Sequence, residues 1–110
     1  MEASNRVVTE ADVRRHPELH LAHRARRELD RETRRETVMY TSTEPCPMCA
    51  GGLRYAELGR IVYSVGGDEV GEFTDQDTSV QSATILEGVT EVVGPVLNEE
   101  GRRLHETFDW

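Results

Sequence analysis

The sequence contains no lysine: all thirteen basic residues are arginine. Aromatic residues make up only 5%, so the core has to be built from Val, Ile, Leu and Ala. No apolar run reaches the roughly 20 residues that span a bilayer. The first residues carry no basic-then-apolar signal pattern, and the expectation is a cytoplasmic protein. There are only two cysteines, Cys46 and Cys49. Three residues apart, they exclude a disulfide framework, and in a reducing compartment such a pair means metal or redox chemistry.

Acids outnumber bases and the formal net charge is −8. An acidic surface with arginine as the sole cation points to a salt-adapted, halophilic source; it speaks to solubility and not to fold. The charge is uneven. Arg14 to Arg35 holds eight Arg against four acids, whereas Gly66 to Trp110 holds eleven acids against two Arg. The arginine-rich stretch reads first as a solvated helix face and loop, and second as an electrostatic footprint for a nucleic acid.

With 110 residues, the chain is read as one domain, residues 1–110. Asn5 to Val8 reads as the end of a strand. Pro17 suits the first turn of a helix, where a missing N–H costs nothing. Leu21, Ala22, Ala25 and Leu29 then form an apolar stripe at helical spacing. Asp30 to Glu36 reads as a charged loop. Thr37 to Ser42 and Arg60 to Val65 read as buried strands, with a helix from Pro45 to about Leu58 between them. Gly66 to Thr78 reads as loop with a short helix, and Val89 to Val93 as a third strand. Asn98 reads as the cap of a last helix running toward Trp110, anchored by Phe108 and Trp110. Strands alternating with helices imply an α/β protein with parallel crossovers.

Two local patterns carry chemistry. In Pro45-Cys46-Pro47-Met48-Cys49, a helix opening at Cys46 puts both thiols on its first turn, where the positive dipole end favours thiolate. That suits zinc, but a redox pair or a closed structural zinc site fits the same spacing; with no further Cys, closure would need two His. In His16-Pro17-Glu18, Glu18 lies three and four residues before Leu21 and Ala22. It therefore shares the face of the core stripe, a costly place for a carboxylate without work or a partner. His20 and His23 fall on the other side and read as exposed or partly packed histidines.

His-x-Glu followed by Pro-Cys-x-x-Cys is the signature of zinc nucleobase deaminases. Here HPE and TSTEPCPMC stand thirty residues apart, from His16 to Cys46. From Asn5 to Val65 the chain resembles the cytidine deaminase-like superfamily, in the branch of guanine deaminases, yeast-type cytosine deaminases and tRNA adenosine deaminases. The likeness covers Asn5-x-Val7, TSTEPCPMCAG and the GRIVY strand, and fades beyond Val65. Pro17 stands where many members have Ala.

The resemblance implies a three-layer α/β/α fold with a mixed, mostly parallel sheet. It also implies that the first helix and one to two strands are missing, because members carry them before the Asn. It makes His16, Cys46 and Cys49 the ligands of one Zn2+, whose water has a pKa near 7. The hydroxide attacks the ring carbon of a base or nucleoside, and Glu18 shuttles the protons. Asn5, eleven residues before His16, is placed on the base. Asp77, with Asp75 beside it, sits where guanine deaminases carry a base-reading acid. A homodimer is the expected assembly. The alternatives are a tRNA adenosine deaminase, which the acidic second half disfavours, and a non-catalytic zinc-binding fragment.

Overall fold

The computed structural model describes residues 1–6, 10, 16–74 and 80–107. Its elements, in chain order, are α1 (Pro17–Glu28), α2 (Arg31–Arg35), β1 (Val38–Thr43), α3 (Pro47–Ala56), β2 (Arg60–Val65), α4 (Gly67–Val70), α5 (Ser82–Ile85), β3 (Glu91–Val93) and α6 (Asn98–Thr107). The strands form one sheet in the order β1-β2-β3. Both pairings are parallel, running from Val38↔Arg60 to Thr43↔Val65 and from Arg60↔Glu91 to Val62↔Val93. This is the expected α/β architecture of the cytidine deaminase-like fold, and among the described residues the sheet is wholly parallel.

Apolar patterning builds the core. Ala22 and Ala25 of α1 meet Ala50, Leu53 and Ala56 of α3 over Met39 and Ile61 of the sheet, with Leu58 and Leu86 closing the cluster. Leu21 and Leu29, the ends of the stripe, pack against it half-buried. Small residues let the two helices approach: a Cβ at Gly52 of α3 would stand 2.7 Å from Leu19 of α1. The Cys46-to-Ala56 segment is the crossover between two parallel strands, so the start of α3 lies at the carboxyl end of β1. Open α/β sheets hold their ligands at that end.

Several expectations are corrected. Asn5 and Arg6 are not in a strand; the Arg6 carbonyl accepts the Glu10 N–H in a helical i→i+4 bond. Val7 and Val8 lie outside the described residues. β1 alternates rather than being buried throughout: Met39 faces the core while Tyr40 is 77% exposed. Asn98 is the first residue of α6 and not its cap; its amide donates to the Ser64 carbonyl and to Glu69. Phe108 and Trp110 lie outside the described residues.

The largest correction is the charged loop, which is a helix. Asp30 caps it by accepting the Thr33 N–H at 2.8 Å. Arg34 is buried, and its guanidinium donates to the carbonyls of Ala56 (2.8 Å) and Leu29 (2.7 Å), closing the C-terminal ends of α3 and α1. Arg26, Arg31 and Arg35 gather around the single carboxylate of Glu57. Much of the arginine-rich stretch is therefore engaged within the chain. Arg34→Leu keeps the bulk and removes the donors, leaving two helix-end carbonyls without them. Each such loss costs about 1–3 kcal/mol. Urea denaturation is expected to show a loss of about 2–4 kcal/mol; an unchanged midpoint would remove Arg34 from the fold's supports.

Candidate active site

Two helix starts converge at the carboxyl end of β1. His16 stands at the N-cap of α1, with Pro17 in the first helical position and its carbonyl accepting the His20 N–H. Cys46 stands at the N-cap of α3, with Pro47 following, and its carbonyl accepts the Ala50 N–H. Cys49 falls on the same first turn, facing inward and fully buried. The prolines fix φ where no N–H is needed, which holds both caps in place.

This arrangement brings His16, Cys46 and Cys49 together: their nitrogen and sulfur atoms lie within 4.8 Å of one another. His16 Nδ1 is 3.9 Å from Cys46 Sγ. The Cys49 thiol donates to Cys46, and together with His16 this pulls the Cys46 thiol down to about 4. The same hydrogen bond and burial push Cys49 up. His16 is raised, chiefly by its hydrogen bond to Cys46.

The cluster fits a zinc ion. Bonds of about 2.3 Å to sulfur and 2.0–2.1 Å to nitrogen give a tetrahedron with edges of about 3.5–3.8 Å. The observed His16–Cys46 separation is close to that edge. Two sulfurs and an imidazole are also the donors a borderline-soft cation selects. Among the described residues no other His, Cys or acid joins the group. His23 is exposed and His20 half-buried, and neither belongs to it.

A cavity of about 310 Å³ opens beside the cluster. His16, Glu18, Cys46 and Asn5 all line it, so four of the residues singled out by pattern share one space. Asp77 and Asp75 lie outside the described residues. Glu18 is held by β1: the Thr41 hydroxyl is 2.7 Å from Glu18 Oε1 and 3.0 Å from the Thr43 carbonyl. A threonine hydroxyl has one proton, so donation to the carboxylate competes with donation to the carbonyl.

Pattern reading did not single out Thr41, Thr43, Glu44 or His105, all of which line the cavity or support its wall. Strand alternation puts Thr41 and Thr43 on the face of Met39, a signal present in the sequence. Glu44 ties the loop after β1 to the next elements. It accepts the Gly67 N–H at 2.8 Å and the Ser82 N–H at 3.1 Å, along with the Ser82 hydroxyl. His105 arrives from α6, buried, with Nε2 2.6 Å from Thr43 Oγ1. Nothing local in the sequence links it to the site.

Residues 2–93 match the model of the MafB19-like deaminases. The chain belongs to the MafB19-like deaminase family. A probable cytosine deaminase of Schizosaccharomyces pombe is 31% identical over 119 residues, covering 98% of this chain and 70% of that protein. A guanine deaminase of Bacillus subtilis is 29% identical over 79 residues, covering 72% of this chain; the chain spans about half, 51%, of its length. The expected membership of the cytidine deaminase-like superfamily is borne out. Among the described residues no helix is long and apolar enough to cross a membrane.

Proposed function

We propose that this chain is a zinc-dependent hydrolytic deaminase of a free nucleobase. One observation carries the reading: a carboxylate on the first turn of one helix faces the same cavity as His16 and Cys46, two members of a His-Cys-Cys cluster at two helix starts. The relatives named cytosine deaminase and guanine deaminase make those two bases the first candidates. A cavity of about 310 Å³ falls at the small end of the usual range of about 300–1,000 Å³ for ligand sites, which favours a base over a polymer.

His16, Cys46 and Cys49 would hold the zinc, and zinc with three protein ligands supplies a water acidified to a pKa of about 7. The remaining work belongs to the chain. Glu18, held at Oε1 by Thr41, accepts a proton from the attacking water. It passes that proton to the ring nitrogen and then serves the departing amine, so water and amine become carbonyl and ammonia. Asn5 lines the wall with one acceptor oxygen and two N–H donors, enough to hold one edge of a base. Cys49 is fully buried behind the two helix starts, while His16 and Cys46 face the cavity.

The zinc-loaded protein is expected to release ammonia from cytosine or guanine, measured by a coupled assay alongside adenine and the matching nucleosides. If the folded, zinc-loaded chain releases none from any of them, the reading fails.

A further inference from the structure

His105 and Thr43 stand 62 positions apart and meet at the wall of the cavity. His105 is 3% exposed. Its Nδ1 lies 2.7 Å from the Gly101 carbonyl oxygen, one helical turn earlier. A carbonyl can only accept, so Nδ1 carries the proton. In the neutral ring Nε2 is then an acceptor. With the ring neutral, the Thr43 hydroxyl, 2.6 Å away, is the donor to Nε2. Its one proton is thereby committed to His105. What Thr43 Oγ1 has left to offer is lone pairs.

The placement of His105 is built into the fold. A Cβ at Gly101 would run into the Ser64 side chain, so glycine lets α6 lie close on β2. Arg102, the next residue, donates to Glu69 at 2.6 Å and also to Glu72, and its guanidinium stacks 5.3 Å from the centre of the Phe73 ring. Phe73 in turn sits 5.6 Å from the His105 ring. Asn98 adds a hydrogen bond to Glu69 at 3.1 Å. The helix is clamped at Asn98 and Arg102, within the two turns before the histidine, and Phe73 packs against the ring itself.

We propose that Thr43 is a specificity-determining contact and His105 its positioning residue: together they present a fixed hydrogen-bond acceptor that selects a nucleobase edge bearing an N–H. The inference rests on the deaminase reading only for the class of ligand. A base that places a carbonyl or a bare ring nitrogen against Thr43 meets lone pair with lone pair. A hydroxyl free to rotate would accept either edge; the hydrogen bond to His105 removes that freedom.

The test is calorimetric binding of cytosine, guanine and each of their single N-methyl derivatives to the zinc-loaded full chain, with steady-state ammonia release alongside. For the base that binds, one N-methyl position is expected to weaken binding to the unmodified protein about tenfold or more. Thr43→Val should weaken the parent base by a similar factor and erase the penalty for that methyl, with the loss falling on KM rather than kcat. Thr43→Ser, which keeps the hydroxyl, should restore discrimination. His105→Leu should erase it, and His105→Gln, whose amide oxygen can accept from Thr43, should retain it.

A folded Thr43→Val that binds and discriminates like the unmodified protein overturns the proposal. So does an unmodified protein that binds none of these bases. A His105→Leu protein with intact discrimination overturns the positioning role. Binding with the expected discrimination but no ammonia release from any base sinks the deaminase reading and leaves this one standing.

Discussion

Replacing Glu18 by Gln is expected to lower turnover of the deaminated base by about 10²–10⁴-fold while the zinc content stays at one per chain. The substitution is close to isosteric, and the Thr41 hydroxyl, 2.7 Å from Glu18 Oε1, keeps an oxygen to donate to. What disappears is the ability to take a proton and give it back. Positioned acid–base catalysis is worth about 10²–10⁴-fold, or about 3–5 kcal/mol of barrier. Glu18 is outside the metal-ligand cluster, so metal binding has no reason to change. KM should move little, because the carboxylate acts on protons and does not hold the base. Elemental analysis and steady-state kinetics on the same preparation decide it. A Glu18→Gln protein that keeps more than a tenth of its turnover would place the proton shuttle elsewhere. Loss of zinc together with activity would make Glu18 part of the metal site instead.

The residues of this prediction were readable from the sequence because their signals are local. A proline after each cap, a histidine two residues before a carboxylate and two cysteines three apart all report on a single helix start. The strands were similarly readable: Arg60–Val65 coincides with β2 because Ile61, Val62, Tyr63 and Val65, all strand-favouring residues, stand together between Gly59 and Gly66. The Arg31–Arg35 helix was invisible because all its residues are polar and give no apolar period. It is held by the Asp30 cap and by a buried guanidinium reaching carbonyls 5 and 22 positions away. The four-residue α5 is too short to show a period at all. Thr43 and His105 illustrate the deeper limit. Their contact exists only because β1, β2 and α6 have already packed, so no window of sequence contains it. Asn98, chosen as a cap by residue type, is drawn instead toward Ser64 and Glu69; tertiary partners outbid the local preference.

Cys49→Ala is expected to lose the zinc and with it both the activity and the metal-dependent part of the stability. Cys49 and Cys46 share the first turn of α3, and the three donor atoms with His16 lie within 4.8 Å. Removing one of three ligands leaves a pair that cannot define the site. The fold brings the three donors together, so zinc is expected to stabilise the unmodified protein by mass action, about 4 kcal/mol at a thousandfold excess over Kd. For a chain of this size that corresponds to a rise in Tm on the order of 10–20 °C. Adding a chelator should reverse the rise. The Cys49→Ala protein should melt at one temperature with zinc, without it, or with chelator, and His16→Ala should behave the same way. His23→Ala, at an exposed position on the other side of α1, should bind and respond like the unmodified protein. The arrangement also separates metal chemistry from redox chemistry at the same pair of cysteines. A redox pair would respond to oxidant in the His16→Ala background as well, whereas a ligand set loses its metal response when any member is removed. Full zinc in Cys49→Ala, or a zinc-dependent Tm in His16→Ala, would remove that residue from the metal site.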